Sequence, residues 1–160
     1  MEDIWNITAL VVSVFSVLLS LYALRQATTK NTSDMYLFFI SQYAKEDMKL
    51  ALRKLKDIKR GVYRLEQWES DMKNNLPKAF EYDEARRLVK YFYDTLAYMK
   101  LEKLIEARFV RLICLKKGAW LYLDTVEAME KFFDSGYDKK PYAVIRDVCE
   151  NLRKEVCCPP

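Results

Sequence analysis

The sequence predicts an all-α protein, one N-terminal transmembrane helix followed by a cytoplasmic helical bundle, on three observations. Gly and Pro number 3 and 4 in 160 residues, where average usage gives roughly 19, so turn-rich sandwiches and barrels are disfavoured. An uncharged run of 21 residues, Ile4–Leu24, is bounded by Asp3 and Arg25. Beyond it, apolar residues recur at spacings of three and four, the period of an amphipathic helix. A chain of 19.0 kDa has the length of one domain and leaves little room for a large catalytic architecture.

The uncharged run comes first. At about 1.5 Å per residue it covers roughly 32 Å, the thickness of a bilayer's hydrocarbon core. It is longer than the apolar region of a signal peptide, and Met1, Glu2 and Asp3 are not a positive leader, so an uncleaved anchor is expected. No basic residue precedes the run, whereas Arg25, Lys30, Lys45, Lys49, Arg53 and Lys54 follow it. By the positive-inside rule this places the N-terminus outside and the rest in the cytoplasm of a cell membrane. Ala9, Ser13, Ser16, Ser20, Ala23 and Ala27 recur at spacings of 4, 3, 4, 3 and 4, lining one face with the small residues over which helices associate in lipid. The expected organisation is anchor 1–27, polar joint 28–34, helical domain 35–156 and tail 157–160.

Thr32 or Ser33 can cap the helix that follows the joint. The apolar run Met35–Tyr43 suits either a membrane interface or the start of the soluble core. Met48, Leu52, Leu55, Ile58 and Val62 then form an apolar stripe, with Lys45, Lys49, Arg53, Lys56 and Arg60 running beside it as a contact face for anionic lipid or an acidic partner. Residues 62–82 read as a short helix and a loop around Trp68 and Pro77. Asp83 can cap a helix to Lys100 whose apolar face is Ala85, Leu88, Phe92, Leu96 and Met99. After a bend, Ile105–Leu115 and Ala119–Phe133 are separated by Gly118. Pro141 can open a last helix through Val156, with Ile145, Val148, Leu152 and Val156 on one face.

Several chemistries are excluded or disfavoured. The chain has no histidine, which removes imidazole metal ligands and Ser/His or Cys/His nucleophile systems. Its three glycines, Gly61, Gly118 and Gly136, are too far apart for a glycine-rich phosphate loop. Glu102 and Glu106 are spaced for helical ion pairing rather than for acid and base work. No catalytic residue, cofactor or metal site is therefore expected. Cys157 and Cys158 form a candidate thiol site, without a CxxC or a second ligand pair, while Cys114 and Cys149 suit small core positions. Arg86, Arg87 and Lys90 interleave with Tyr91 and Tyr93, but residues 30–160 hold 26 basic and 21 acidic residues. A net of +5 is too thin a basic footprint for a nucleic-acid partner.

The aromatic helix Tyr91, Phe92, Tyr93, Leu96 and Ala97, followed by Lys103, Leu104, Ile105, Val110 and later Trp120, resembles a motif of small membrane-anchored prokaryotic proteins classed as a domain of unknown function. The layout of one span, a polar joint and a helix such as Glu46–Leu55 is similar too. Glu102 and Lys103 stand where that family often carries glycine. The resemblance implies the architecture and no activity. The function expected is that of a non-catalytic accessory or regulatory subunit, docked on a larger membrane protein complex through its span and its helical domain. The alternative is a self-associating membrane sensor or effector, a homo-oligomer that uses the tail thiols or the basic stripe.

Overall fold

In the computed structural model, residues 16, 19–23, 33–133 and 137–157 are described. They are helical throughout apart from short connections, and no strand occurs among them. The chain divides into two compact units, Met1–Leu37 and Phe38–Pro160.

In the first unit Ser16 and residues 19–23 are helical. The Ser20 hydroxyl donates to the Ser16 carbonyl at 2.8 Å, so this polar group is satisfied within its own helix, while Leu19, Leu21 and Tyr22 are exposed. The rest of the run Ile4–Leu24, with Ala9, Ser13 and Ala27, lies outside the described residues. Among the described residues no helix is long and apolar enough to cross a membrane.

The second unit is built around one long helix. Helix α1 covers residues 33–44, of which those from Phe38 onward belong to this unit. It is followed by α2 (Glu46–Lys59), α3 (Leu65–Lys73), α4 (Pro77–Leu101), α5 (Ala107–Cys114) and α6 (Gly118–Leu121). A π-helical turn at Tyr122–Val126 leads into α7 (Glu127–Phe133), and α8 (Lys139–Cys157) ends the fold. α4 packs against α2, α3, α5, α8 and the π-helical turn. The core that results includes Leu55, Trp68, Val89, Leu96, Val110, Ile113, Met129 and Ile145, each essentially inaccessible. Burying one such side chain contributes about 1.5–3 kcal/mol.

Three consecutive helices end the same way. In α2, Gly61 N–H donates to Ile58 O and Val62 N–H to Asp57 O; Asn75 with Leu76 and Lys103 with Leu104 repeat the pair after α3 and α4. This double bond closes a helix only if the first residue of each pair takes a left-handed backbone. Gly61, Asn75 and Lys103 do so, at φ 74°, 55° and 56°.

Several expectations are corrected. Asp83 does not cap a helix, because α4 starts six residues earlier with Pro77 in its first turn, where the fixed φ of proline suits a helix start. Asp83 is buried mid-helix and paired to Arg86 and Arg87, each at 2.7 Å. Leu88, expected on the apolar face, is 38% exposed, and Val89 and Tyr93 take the core instead. Val62 is not part of the α2 stripe: the Gly61 turn swings it out to 72% exposure and buries Tyr63. Glu102 and Glu106 share no helix, since the left-handed Lys103 separates them. Gly118 does not separate two helices but opens one and is buried. α8 starts at Lys139, two residues ahead of Pro141. The run from Met35 divides: Phe39 packs edge-on against Phe92, with ring centroids 5.4 Å apart, while Leu37 and Phe38 are exposed.

Candidate functional site

Helix α2 buries Met48, Ala51, Leu55 and Ile58 against the core, which turns its lysine-rich face outward. α6 comes alongside α2 in the fold, and the amide of Gly118 at its start donates to the Tyr43 hydroxyl of α1 at 3.2 Å. The two helices frame a groove of about 520 Å³, walled by Lys49, Arg53, Lys56 and Lys59 of α2 and by Lys117 beside Trp120. Tyr43, Leu52, Gly118 and Leu121 complete the lining.

Its electrostatics are one-sided. Lys59 is paired with Asp124 at 2.5 Å and Lys49 with Glu46 at 3.4 Å. Arg53, Lys56 and Lys117 have no ion-pair partner among the described residues. No carboxylate lines the groove. Two other clefts of this unit differ in that respect. One, of about 330 Å³, is lined by Phe38, Lys45, Leu88 and Tyr91 together with Asp47. The other, of about 380 Å³, sets Asp147 among Lys100, Arg111 and Lys154. Tyr43 is held above the usual phenol range by burial, opposed by the Gly118 hydrogen bond. It is therefore a neutral part of the lining at physiological pH.

Of the basic stripe expected along α2, the fold brings Lys49, Arg53 and Lys56 into the groove and leaves Lys45 and Arg60 out. Lys45 is the extended N-cap of α2 and faces the Phe38–Tyr91 cleft; Arg60 is the C-cap, past the last helical turn. Lys59 was legible as the residue three beyond Lys56. Lys117, Trp120 and Tyr43 were not, since only the packing of α2 against α6 gathers them. Of the small-residue stripe, Ser16, Ser20 and Ala23 fall on described helical residues; Ala9, Ser13 and Ala27 lie outside them. Cys157 ends α8, and Cys158 lies outside the described residues.

The buried charged groups are paired with one another or with their neighbours. Arg86 lies between Asp83 and Glu130, and Lys90 pairs with Asp94. Glu127 takes Arg146 and the Tyr137 hydroxyl. Tyr93, Tyr122 and Tyr142 form a buried stack, with ring centroids at 5.1 and 4.5 Å, and the Tyr122 hydroxyl donates to Asp94 at 2.5 Å. The alternation of Arg86, Arg87 and Lys90 with Tyr91 and Tyr93 is thus a packed face and a wet face of α4. The buried Cys114 donates to the Cys149 sulfur, which together with burial pushes its thiol up. Among the described residues no cluster of His, Cys, Asp or Glu is placed to hold a metal ion.

No family model, curated protein or solved structure matches this chain. The groove between α2 and α6 sets a cluster of cations over an apolar floor.

Proposed function

We propose that this protein is a membrane-anchored, non-catalytic accessory subunit of a larger membrane protein complex, and that the groove between α2 and α6 is its recognition element. One observation carries the reading. Arg53, Lys56 and Lys117, drawn from different parts of the chain, converge without acidic partners around an indole left 37% exposed. Uncompensated charge beside an exposed aromatic is the composition of a binding surface rather than of a core.

The anchor is the run Ile4–Leu24, with the N-terminus outside and the helical domain inside. The exposed Leu19, Leu21 and Tyr22, with the Ser20 hydroxyl bonded to its own helix, suit a lipid environment in which polar groups must be satisfied internally. The small face from Ala9 to Ala27 is the docking face of the span. There, close packing has to replace the hydrophobic effect that drives association in water.

Extraction of the full chain in mild detergent followed by native mass measurement tests the proposal, and other polypeptides should co-migrate with it. A second copy as the sole companion would favour the self-associating sensor instead. Within the complex, Ser13→Leu with Ser16→Leu should reduce recovery of the companion chain while insertion persists. Val11→Leu with Val14→Leu, on the opposite face, should not. Equal recovery from both pairs would make the span a mere tether.

A further inference from the structure

We propose that the groove between α2 and α6 takes a phosphate ester with an apolar body, a class represented by a free nucleotide and by an anionic phospholipid. This rests on the reading of the groove as a recognition site and names what it recognises.

Charge comes first. Five cations, Lys49, Arg53, Lys56, Lys59 and Lys117, line a space of about 520 Å³ that no carboxylate enters. Two of them are balanced by Glu46 and Asp124, which leaves three. A single carboxylate would satisfy one of these; a phosphate ester offers several anionic oxygens to cations approaching from two sides, and the planar Arg53 fork suits two of them at once. Two other clefts of this unit each carry an aspartate in their walls, so the unopposed positive charge here is local and not a product of net charge.

The floor supplies the second half of the argument. Leu52, Leu121, Tyr43 and the half-open Trp120 have no use for an acidic peptide, whose body between its charges is polar. A nucleobase would stack on the indole, and a glycerol backbone with the start of an acyl chain would lie along it. The volume falls within the range of small-molecule sites and suits one nucleotide or one headgroup. No glycine-rich loop accompanies it and no acid is there to hold a magnesium ion, so the ligand is held by ion pairing and apolar contact.

The test uses the full chain in a neutral detergent, titrated calorimetrically with ATP, with pyrophosphate and with mixed micelles containing phosphatidylglycerol. Saturable binding of ATP identifies the free nucleotide as the source, and saturable binding of the micelles alone identifies the lipid. For whichever binds, Arg53→Gln with Lys117→Gln should weaken affinity about thirtyfold, and added salt should weaken it further. Lys45→Gln with Arg60→Gln removes the same charge outside the groove and should change affinity less than threefold. Trp120→Ala should weaken ATP or phosphatidylglycerol but leave pyrophosphate unchanged, and circular dichroism checks that each variant is folded. Failure of every probe, or equal losses in the two double variants, would overturn the proposal. So would groove-dependent binding of polyglutamate as tight as that of any phosphate probe, although that result would keep the groove as a recognition site. Co-migration with a companion chain is measured separately, so the docking function and its ligand stand or fall apart.

Discussion

Gly118 and Tyr43 meet in direct contact: the Gly118 amide donates to the Tyr43 hydroxyl at 3.2 Å, and a β-carbon on Gly118 would stand 2.9 Å from the same oxygen. The Tyr93 hydroxyl would be 2.8 Å from that carbon. Tyr93 is fully buried and stacked on Tyr122, so its ring has nowhere to retreat. Gly118→Ala should therefore cost about 1–3 kcal/mol, the usual penalty of overpacking, read as a lower denaturation midpoint. Because Gly118 and Tyr43 both line the groove, the same change should also weaken ligand binding there. A stability equal to the parent's would mean that the two phenols can move aside.

Lys103 closes α4 in a left-handed conformation at φ 56°, which costs a residue with a β-carbon about 1–2 kcal/mol. Glycine avoids that cost, though it gives up some of the gain in unfolded-state entropy. Lys103→Gly should raise stability by roughly 0.5–1 kcal/mol. A loss on chemical denaturation would show that the lysine side chain contributes more than its backbone costs.

Arg86 stands between two buried carboxylates, Asp83 at 2% exposure and Glu130 at 6%. Arg86→Met keeps an unbranched stem, though a shorter one, and removes the charge that both acids need. The loss should be about 3 kcal/mol, since a broken buried pair leaves uncompensated charge. It should be at the lower end of that class, because Arg87 still reaches Asp83 and Lys90 lies 3.9 Å from Glu130. Adding Asp83→Asn and Glu130→Gln should recover most of it. A triple variant as unstable as Arg86→Met alone would place the loss in the stacking of Arg86 on Phe133 instead.

The Tyr98 hydroxyl donates to Asp138 at 2.5 Å, and Asp138 also caps α8 by accepting from the Lys140 amide at 2.9 Å. These bonds, that from Tyr98 first, hold the exposed Asp138 carboxyl below its ordinary value of 3.8. A carboxyl lowered on folding contributes stability that is present above the ordinary value and lost as pH falls through the folded one. Tyr98→Phe should move the Asp138 titration, followed by NMR, back toward 3.8 and flatten the acid limb of the stability profile. It should do so only in part, because the Lys140 amide remains. An unmoved titration would leave the cap as the whole cause.

The all-helical class was legible because scarcity of Gly and Pro and apolar spacing of three and four are local properties, and they act on each segment alone. The inward face of α2 was mostly legible for the same reason: Met48, Leu55 and Ile58 are buried as their period requires. The start of α4 was not legible, because Asp83 has the chemistry of a cap and only a guanidinium three residues on, held in place by Glu130 from another helix, makes it tolerable inside. The groove divides the same way. That Lys49, Arg53 and Lys56 share a face follows from 3.6 residues per turn. That Lys117 and Trp120 join them, while Lys45 and Arg60 do not, follows from where α2 begins and ends and from the packing of α6 against α2. Periodicity determines which side of a helix is wet; which other helix stands across the water is decided only when the core packs.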